Sequence, residues 1–550
     1  MTVSFNYRPL STAFTLGIFI HSLLLKNVEL ELYLPHFFAA STCAITGLYY
    51  AHLLLSGLSV TGTLLRTAVE GTSFTIGLFT SMVVYRLFFH RIRKFPGPFW
   101  ARVSRFYALY LSAKNVQYHV ELDKLRKQYG DFFRTGPREI CVVRKSAVPL
   151  ILGTCLKSTW YNQISRKPEG GQLTFSRDPD DHRRRKRAWD RGFSIKALAT
   201  YQPRIKSKVD QLVAKFRKTA GDPKDVTAWT MMLAFDIMGE VGYSKDFGSV
   251  VNGEEHEAAK AIHDHMTILG IFGMTPWLLY IIGHMPGALA AYKPFFTWCA
   301  NMIKEKKATW DSEKYPQDIS SWLVKAVMEK DVSASPTEAS LNDDARLIII
   351  AGSDTSATAN ACTLYFLAKH PHVLKKLQEN LDAIMPNGAQ DWSYDKIKSV
   401  VYLDDIINES LRLKPPLITG GYRVTPADGL QIDEVYIPGD VNVFVPFQLI
   451  QTDERYWQKP FDFIPERWNE RKEEMGTDET LLVPFSGGVY KCPGNHLAMM
   501  SMRTTISSIV QQFDVAFAPG ETGETFDTGS KDVFTTVLPP LQLQFTLRKS

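Results

Sequence analysis

Pro484-Phe485-Ser486-Gly487-Gly488-Val489-Tyr490-Lys491-Cys492-Pro493-Gly494 is the stretch from which the rest of the chain is best read. It holds an aromatic residue, two glycines, a single cysteine and a Pro-Gly pair, directly before a run with helical spacing at 495–513. A cysteine that binds a metal does so as thiolate, and it needs N–H donors around the sulfur. Glycines let a backbone come close to a flat ligand. The start of the following helix places positive dipole near the sulfur. The plain alternative is a buried free cysteine in a glycine-rich turn, the commoner fate of a cysteine taken alone.

Working outward, residues 341–369 read as one long apolar helix that stops at His370-Pro371. Asp343, Asp344, Arg346, Asp354 and Lys369 interrupt it, so it is not a membrane span. Midway lies Ala351-Gly352-Ser353-Asp354-Thr355-Ser356. Gly inside a helix costs about 1 kcal/mol relative to Ala, and an acid-alcohol pair in an apolar helix wants a reason. A groove where dioxygen sits, with a hydroxyl and a carboxylate relaying protons, is one; a kinked core helix with Asp354 at the surface is the other. Farther on, Glu409 and Arg412 stand three apart on one helical face, and Pro465-Glu466-Arg467-Trp468 follows. Alone, the Glu-Arg pair would be an exposed ion pair of little energetic worth. His182-Arg183-Arg184-Arg185-Lys186-Arg187-Ala188-Trp189 is densely cationic; a solvated helix face and a nucleic-acid contact are both open readings.

Taken together and in this order, the four elements resemble those of the cytochrome P-450 family. Phe485, Gly488, Cys492 and Gly494 match its Phe-x-x-Gly-x-Arg-x-Cys-x-Gly loop, with Tyr490 where the family has Arg. The resemblance implies a mainly α fold with small β-sheets, preceded here by a membrane region. It implies haem b with Cys492 as the axial ligand to iron, and a thiolate ligand favours O–O cleavage. By the same resemblance Thr355 delivers protons with Asp354 as its partner. Phe485 and Gly488 belong to the haem-binding loop. His182, Lys186 and Arg423 approach the propionates. Glu409, Arg412 and Arg467 form a structural triad. Lys186 keeps the charge of the family's Arg but loses its bidentate fork. The arginines left over would make a positive docking surface for an acidic electron donor. The implied reaction inserts one oxygen atom from O2 into a lipophilic small molecule, with electrons from NADPH through an NADPH–cytochrome P-450 reductase. Segments 173–175, 266–272, 347–351, 417–420 and 534–537 would face that substrate. The loop and the N-terminal region look like fungal secondary-metabolism members, similar to tryprostatin hydroxylase-type enzymes. Two rival readings are a reductase-independent isomerase or peroxygenase and a non-catalytic membrane haem protein; the Asp354-Thr355 pair speaks against both.

The N-terminal ninety residues carry three apolar stretches, 13–25, 36–55 and 71–89, read as three transmembrane helices of an anchor over residues 1–94. No strongly basic segment precedes the first and no small-residue cleavage site follows it, against a cleaved leader. Arg86 near the end of the third would snorkel to the interface. His90-Arg91-Ile92-Arg93-Lys94 marks the cytoplasmic side. Phe95-Pro96-Gly97-Pro98 then breaks the helix. The expectation is a multi-pass protein of the endoplasmic reticulum with a haem-binding domain, 95–550, facing the cytosol, and no nucleic-acid partner. Composition agrees: 550 residues, a net charge of only +6, and six scattered cysteines without a Cys-x-x-Cys pair argue against a nucleic-acid binder and a disulfide scaffold. Helical spacing is expected at 120–129, 226–241, 256–269, 372–384 and 400–413, and strands at 132–143, 420–424, 430–432, 434–437 and 441–445.

Overall fold

The computed structural model describes residues 8–28, 33–164, 171–288 and 290–548. It opens with three helices, α1 (Arg8–Leu23), α2 (Leu34–Leu55) and α3 (Val60–Val84), the last continued by one π turn over Tyr85–Phe89. α2 and the 60–89 helix are long and apolar enough to cross a membrane, at 22 and 30 residues, or about 33 and 45 Å against a hydrocarbon core of ~30 Å. The described part of the first helix, α1, has 16 residues, about 24 Å. It packs along α3. A Cβ on Gly17 would overlap the Phe74 carbonyl and one on Gly77 the Phe14 carbonyl, so the two glycines set a close crossing. Polar side chains are used between the helices: His21 Nδ1 lies 2.8 Å from Ser81 Oγ, Ser73 Oγ donates to the Leu10 carbonyl at 2.8 Å, and His52 Nε2 lies 3.0 Å from Glu70 Oε2. Near the end of the third helix Arg86 Nη1 donates to the Val103 carbonyl at 2.7 Å, where the start of the globular part comes alongside.

A five-stranded sheet of β1 (Phe132–Gly136), β2 (Glu139–Val142), β3 (Leu156–Lys157), β4 (Arg423–Val424) and β5 (Asn442–Phe444) has the order β1-β2-β5-β4-β3. The short β-prone runs expected within 132–143 form a hairpin, divided at Pro137-Arg138, because proline cannot donate to a ladder. β4 pairs antiparallel with β3 and puts Arg423 directly opposite Lys157. The helices that matter for the site are α4 (Pro179–Gly192), α5 (Ile195–Lys218), α6 (Val226–Tyr243), α7 (Glu257–Phe272), α8 (Pro276–His284), α9 (Glu338–Lys369), α10 (Val401–Leu413) and α11 (Asn495–Val510). α9 is the central one. Every residue from Ala357 to Ala368 is buried, which is why this half reads as apolar all round. It crosses α6 closely where a Cβ on Gly242 would meet Ile348 at 2.8 Å. α11 ends before the expected Phe513, which opens a strand (Phe513–Phe517) paired with Gln542–Leu547. The described residues are therefore mainly helical with small sheets.

Behind the cysteine loop sits a buried ion cluster. Glu409 receives Arg412 Nη2 and Nε at 2.8 and 2.9 Å and Arg467 Nε at 2.9 Å. Trp468 Nε1 and the Ile464 N–H complete the carboxylate's shell at 3.1 and 3.0 Å. The excess positive charge is absorbed by carbonyls: Arg412 Nη1 donates to Gln451 and Pro460, and Arg467 Nη1 and Nη2 donate to Gln458 and Lys459. All three side chains are fully buried. Taking the carboxylate away leaves two buried guanidinium groups facing each other. Glu409→Ala should therefore cost about 3–5 kcal/mol, seen as a large fall in the thermal unfolding midpoint or in the yield of folded protein. A midpoint equal to that of the wild type would contradict this.

Candidate active site

α4, α7, α8, α9, the start of α11 and the edge of the five-stranded sheet enclose a cavity of about 960 Å³, at the upper end of the ~300–1,000 Å³ usual for ligand sites. Cys492 is exposed, and the space it opens to is this cavity, deep inside the protein. The loop holds it rigidly. The Cys492 N–H donates to the Phe485 carbonyl at 2.9 Å, and α11 begins three residues on. Burial pushes the thiol up, while the N–H groups of Gly494 and Asn495 and the charge of Lys186 pull it back. Gly494 and Phe485 line the cavity. Gly488 serves another purpose. It has φ +64°, and a Cβ there would lie 2.5 Å from the Leu152 carbonyl, so its freedom lets the loop pass over Leu152 and Gly153 rather than over a ligand.

On the sheet side three cationic or protonatable groups converge. Lys157 and Arg423 are cross-strand partners, both buried, and both line the cavity. Like charges directly opposite each other are destabilising, yet among the described residues neither has a carboxylate partner. Lys157 Nζ donates to the Thr174 carbonyl at 2.7 Å and lies 4.5 Å from the centre of the Tyr490 ring. Burial drives the Lys157 ammonium well down, with Arg423 and Arg185 adding to the effect. Arg423 Cζ stands 5.2 Å from the same ring, and its Nε is buried without a partner. His182, on α4, packs against Tyr490 at 4.7 Å, and its Nδ1 also has no partner. Burial and the charges of Lys157, Lys186 and Arg185 lower it to about 3, so it is neutral. Lys186, one turn on, lines the cavity and meets Asp190 at 2.5 Å. A flat dianionic ligand held on the Cys492 sulfur fits this edge: it would take up two orphaned polar atoms and neutralise a buried lysine-arginine pair. Lys157 escaped notice in the sequence. Its one signal, a lysine in a short β-prone run, means nothing until β3 is paired with β4.

Two of the other basic residues of α4 are taken up inside the protein. Arg185 is buried in an ion pair with Asp344 at 2.9 Å, and Arg184 is spent on Asp181 and the carbonyls of Val332 and Ala334. Arg183 and Arg187 stay exposed, Arg183 beside Asp180. Along α9, Gly352, Thr355 and Ser356 line the cavity. Gly352 also has a packing reason, since a Cβ there would strike Met238 of α6. Thr355 Oγ1 donates to the Ala351 carbonyl at 2.6 Å. Asp354, a third of a turn away, is buried and faces His263 on α7 rather than Thr355. The expected substrate segments all contribute walls: Leu173 and Phe175, Met266 and Leu269, Leu347 and Ile350, Leu417, and Phe534. α8 and its surroundings add Leu279, Ile282, Phe295 and Phe296, unforeseen because an apolar helix looks alike whether it faces core or cavity.

The family model for cytochrome P-450 matches residues 96–547. The cytochrome P-450 monooxygenase orf5 of Eupenicillium brefeldianum is 37% identical over 476 residues, which cover 86% of this chain and 95% of that protein. The cytochrome P-450 monooxygenase FCK2 of Fusarium pseudograminearum is 31% identical over 552 residues, covering 99% and 98%. The monooxygenase phqL of Penicillium fellutanum is 30% identical over 552 residues, covering 99% and 96%. A cysteine loop, a central helix and a buried ion cluster thus fall inside one matched region, and the chain belongs to the cytochrome P-450 family, as a monooxygenase and hence an oxidoreductase.

Proposed function

We propose that the protein holds haem b on Cys492 and inserts one oxygen atom from O2 into a lipophilic small molecule, a secondary-metabolite hydroxylation. The observation that carries the reading is the pairing of a thiol open to the cavity with a buried, acid-free cationic edge across from it. Lys157, Arg423 and His182 would meet the propionates, with Lys157 taking the place that Tyr490 leaves empty. The haem, when bound, supplies the reduction of dioxygen and the oxygen-atom transfer. The chain's own residues do the rest. Phe485 and Gly494 shape the sulfur's surroundings. Thr355 Oγ1, now turned to the Ala351 carbonyl, is one rotamer from donating into the cavity, and Asp354, its neighbour in the helix, is bonded to His263. The apolar walls select substrate by shape and exclude water.

Electrons would come from NADPH through an NADPH–cytochrome P-450 reductase, met by the face that carries Arg183 and Arg187. α2 and α3 would cross the endoplasmic reticulum membrane, with α1 entering it as the packed partner of α3. The basic residues at 90–94 would lie on the cytosolic side with the haem domain. A reductase-independent isomerase or peroxygenase has less use for the Asp354-Thr355 pair.

Thr355→Ala is expected to leave NADPH and oxygen consumption running while hydrogen peroxide rises and product falls; an unchanged product yield per NADPH would remove the proton-handling role. Lys157→Met should loosen the cofactor without unfolding the chain. Loss of a charge-assisted hydrogen bond of about 1.5–3 kcal/mol means roughly tenfold or faster haem transfer to apomyoglobin. Transfer at the wild-type rate would show that Lys157 does not meet a propionate.

A further inference from the structure

Asp354 is only 5% exposed, and among the described residues the one side chain that bonds to it is His263 of α7, whose Nε2 lies 3.4 Å from Oδ1. On the other edge of the ring, Nδ1 bonds to Glu255, in the segment leading into α7. These two carboxylates are the charged groups against the ring among the described residues. Burial alone would lower the imidazolium, but the bonds and charges of Asp354 and Glu255 outweigh it and push the ring up to about 10. The histidine is therefore a cation at neutral pH, bonded through both nitrogens. A ring held that firmly protonated gives up its proton reluctantly, so it acts as a fixed charge rather than a shuttle.

α7 also walls the cavity, through Met266 and Leu269 within two turns of His263. One helix thus carries a substrate-facing wall and the only side-chain partner described for the carboxylate beside Thr355. We infer that His263 is a positioning residue, whose ring ties α7 to Asp354 so that the carboxylate is set for proton handling only while α7 holds that ring in place. This rests on the reading of Asp354 and Thr355 as the proton-handling pair. An exposed ion pair with the same atoms would be worth little; this one has a buried acid and a ring bonded on both edges.

The test uses the full-length holoenzyme in phosphatidylcholine vesicles with reductase and NADPH and no added substrate, comparing wild type, His263→Gln, His263→Arg and Thr355→Ala. His263→Gln should raise the hydrogen peroxide released per NADPH toward the Thr355→Ala value, and His263→Arg, which keeps the charge, should stay near wild type. The pH dependence of unfolding supplies a second readout. A group whose pKa is raised on folding stabilises fully below its unfolded value, about 6.5, and the contribution is lost as pH rises through the folded value, about 10. The gap in unfolding midpoint between wild type and His263→Gln should therefore be widest near pH 6.5 and close toward pH 10, while the gap between His263→Arg and His263→Gln does not close. A pH-independent gap overturns the inference. So does wild-type peroxide release by His263→Gln when Thr355→Ala raises it. If Thr355→Ala itself changes nothing, the proton-handling reading fails and this inference goes with it.

Discussion

Two buried basic side chains placed side by side, with no acid beside them among the described residues, form the constraint around which this protein is arranged. The ladder between β3 and β4 fixes Lys157 opposite Arg423, and neither can swing to solvent. Carboxylates that could have answered them are committed elsewhere: Asp344 to Arg185, Asp190 to Lys186, Glu409 to Arg412 and Arg467. A buried charge without a counter-charge costs several kcal/mol. A dianionic cofactor lying between this edge and the Cys492 sulfur would relieve that cost and be held by it.

Holding the two edges at a fixed separation is the task of the rest of the core. The Glu409 cluster ties α10 to the segment 458–468 that leads into the cysteine loop, using all three nitrogens of each guanidinium group. α9 lines the cavity with Gly352, Thr355 and Ser356, and its close crossing with α6 depends on Gly242 and Gly352. Gly352 therefore has two reasons to be glycine, a packing one against Met238 and a cavity-lining one. The reading that put Asp354 at the surface does not hold, since that side chain is buried. Asp354 departs from the simple picture: it lies beside Thr355 in sequence, but the helical turn points it at His263.

What the sequence made legible was whatever depends on local spacing. The cysteine loop, the Glu409-Arg412 pair, the long α9 and the His182-Lys186 face of α4 are patterns within one turn or one helix, and periodicity exposes them. What stayed hidden depends on pairing between distant segments. Lys157 acquires meaning only through β4, Gly488 only through Leu152, and Arg185 only through Asp344. The C-terminal strands, such as Gln542–Leu547, were missed for a related reason, since short half-buried strands alternate too briefly to stand out. The bond from Arg86 to the Val103 carbonyl is of the same kind, since it joins two segments that no local pattern links.

The claim on which everything else rests is that the Cys492 sulfur is the ligand of a haem iron. The most direct measurement is the absorption spectrum of the reduced, carbon-monoxide-treated protein in membranes, recorded beside Cys492→Ser. The account predicts a strongly red-shifted Soret band in the wild type that is absent from the variant. A well-folded wild-type protein without that band, or a variant that keeps it, would contradict thiolate ligation and with it the monooxygenase chemistry proposed for this cavity.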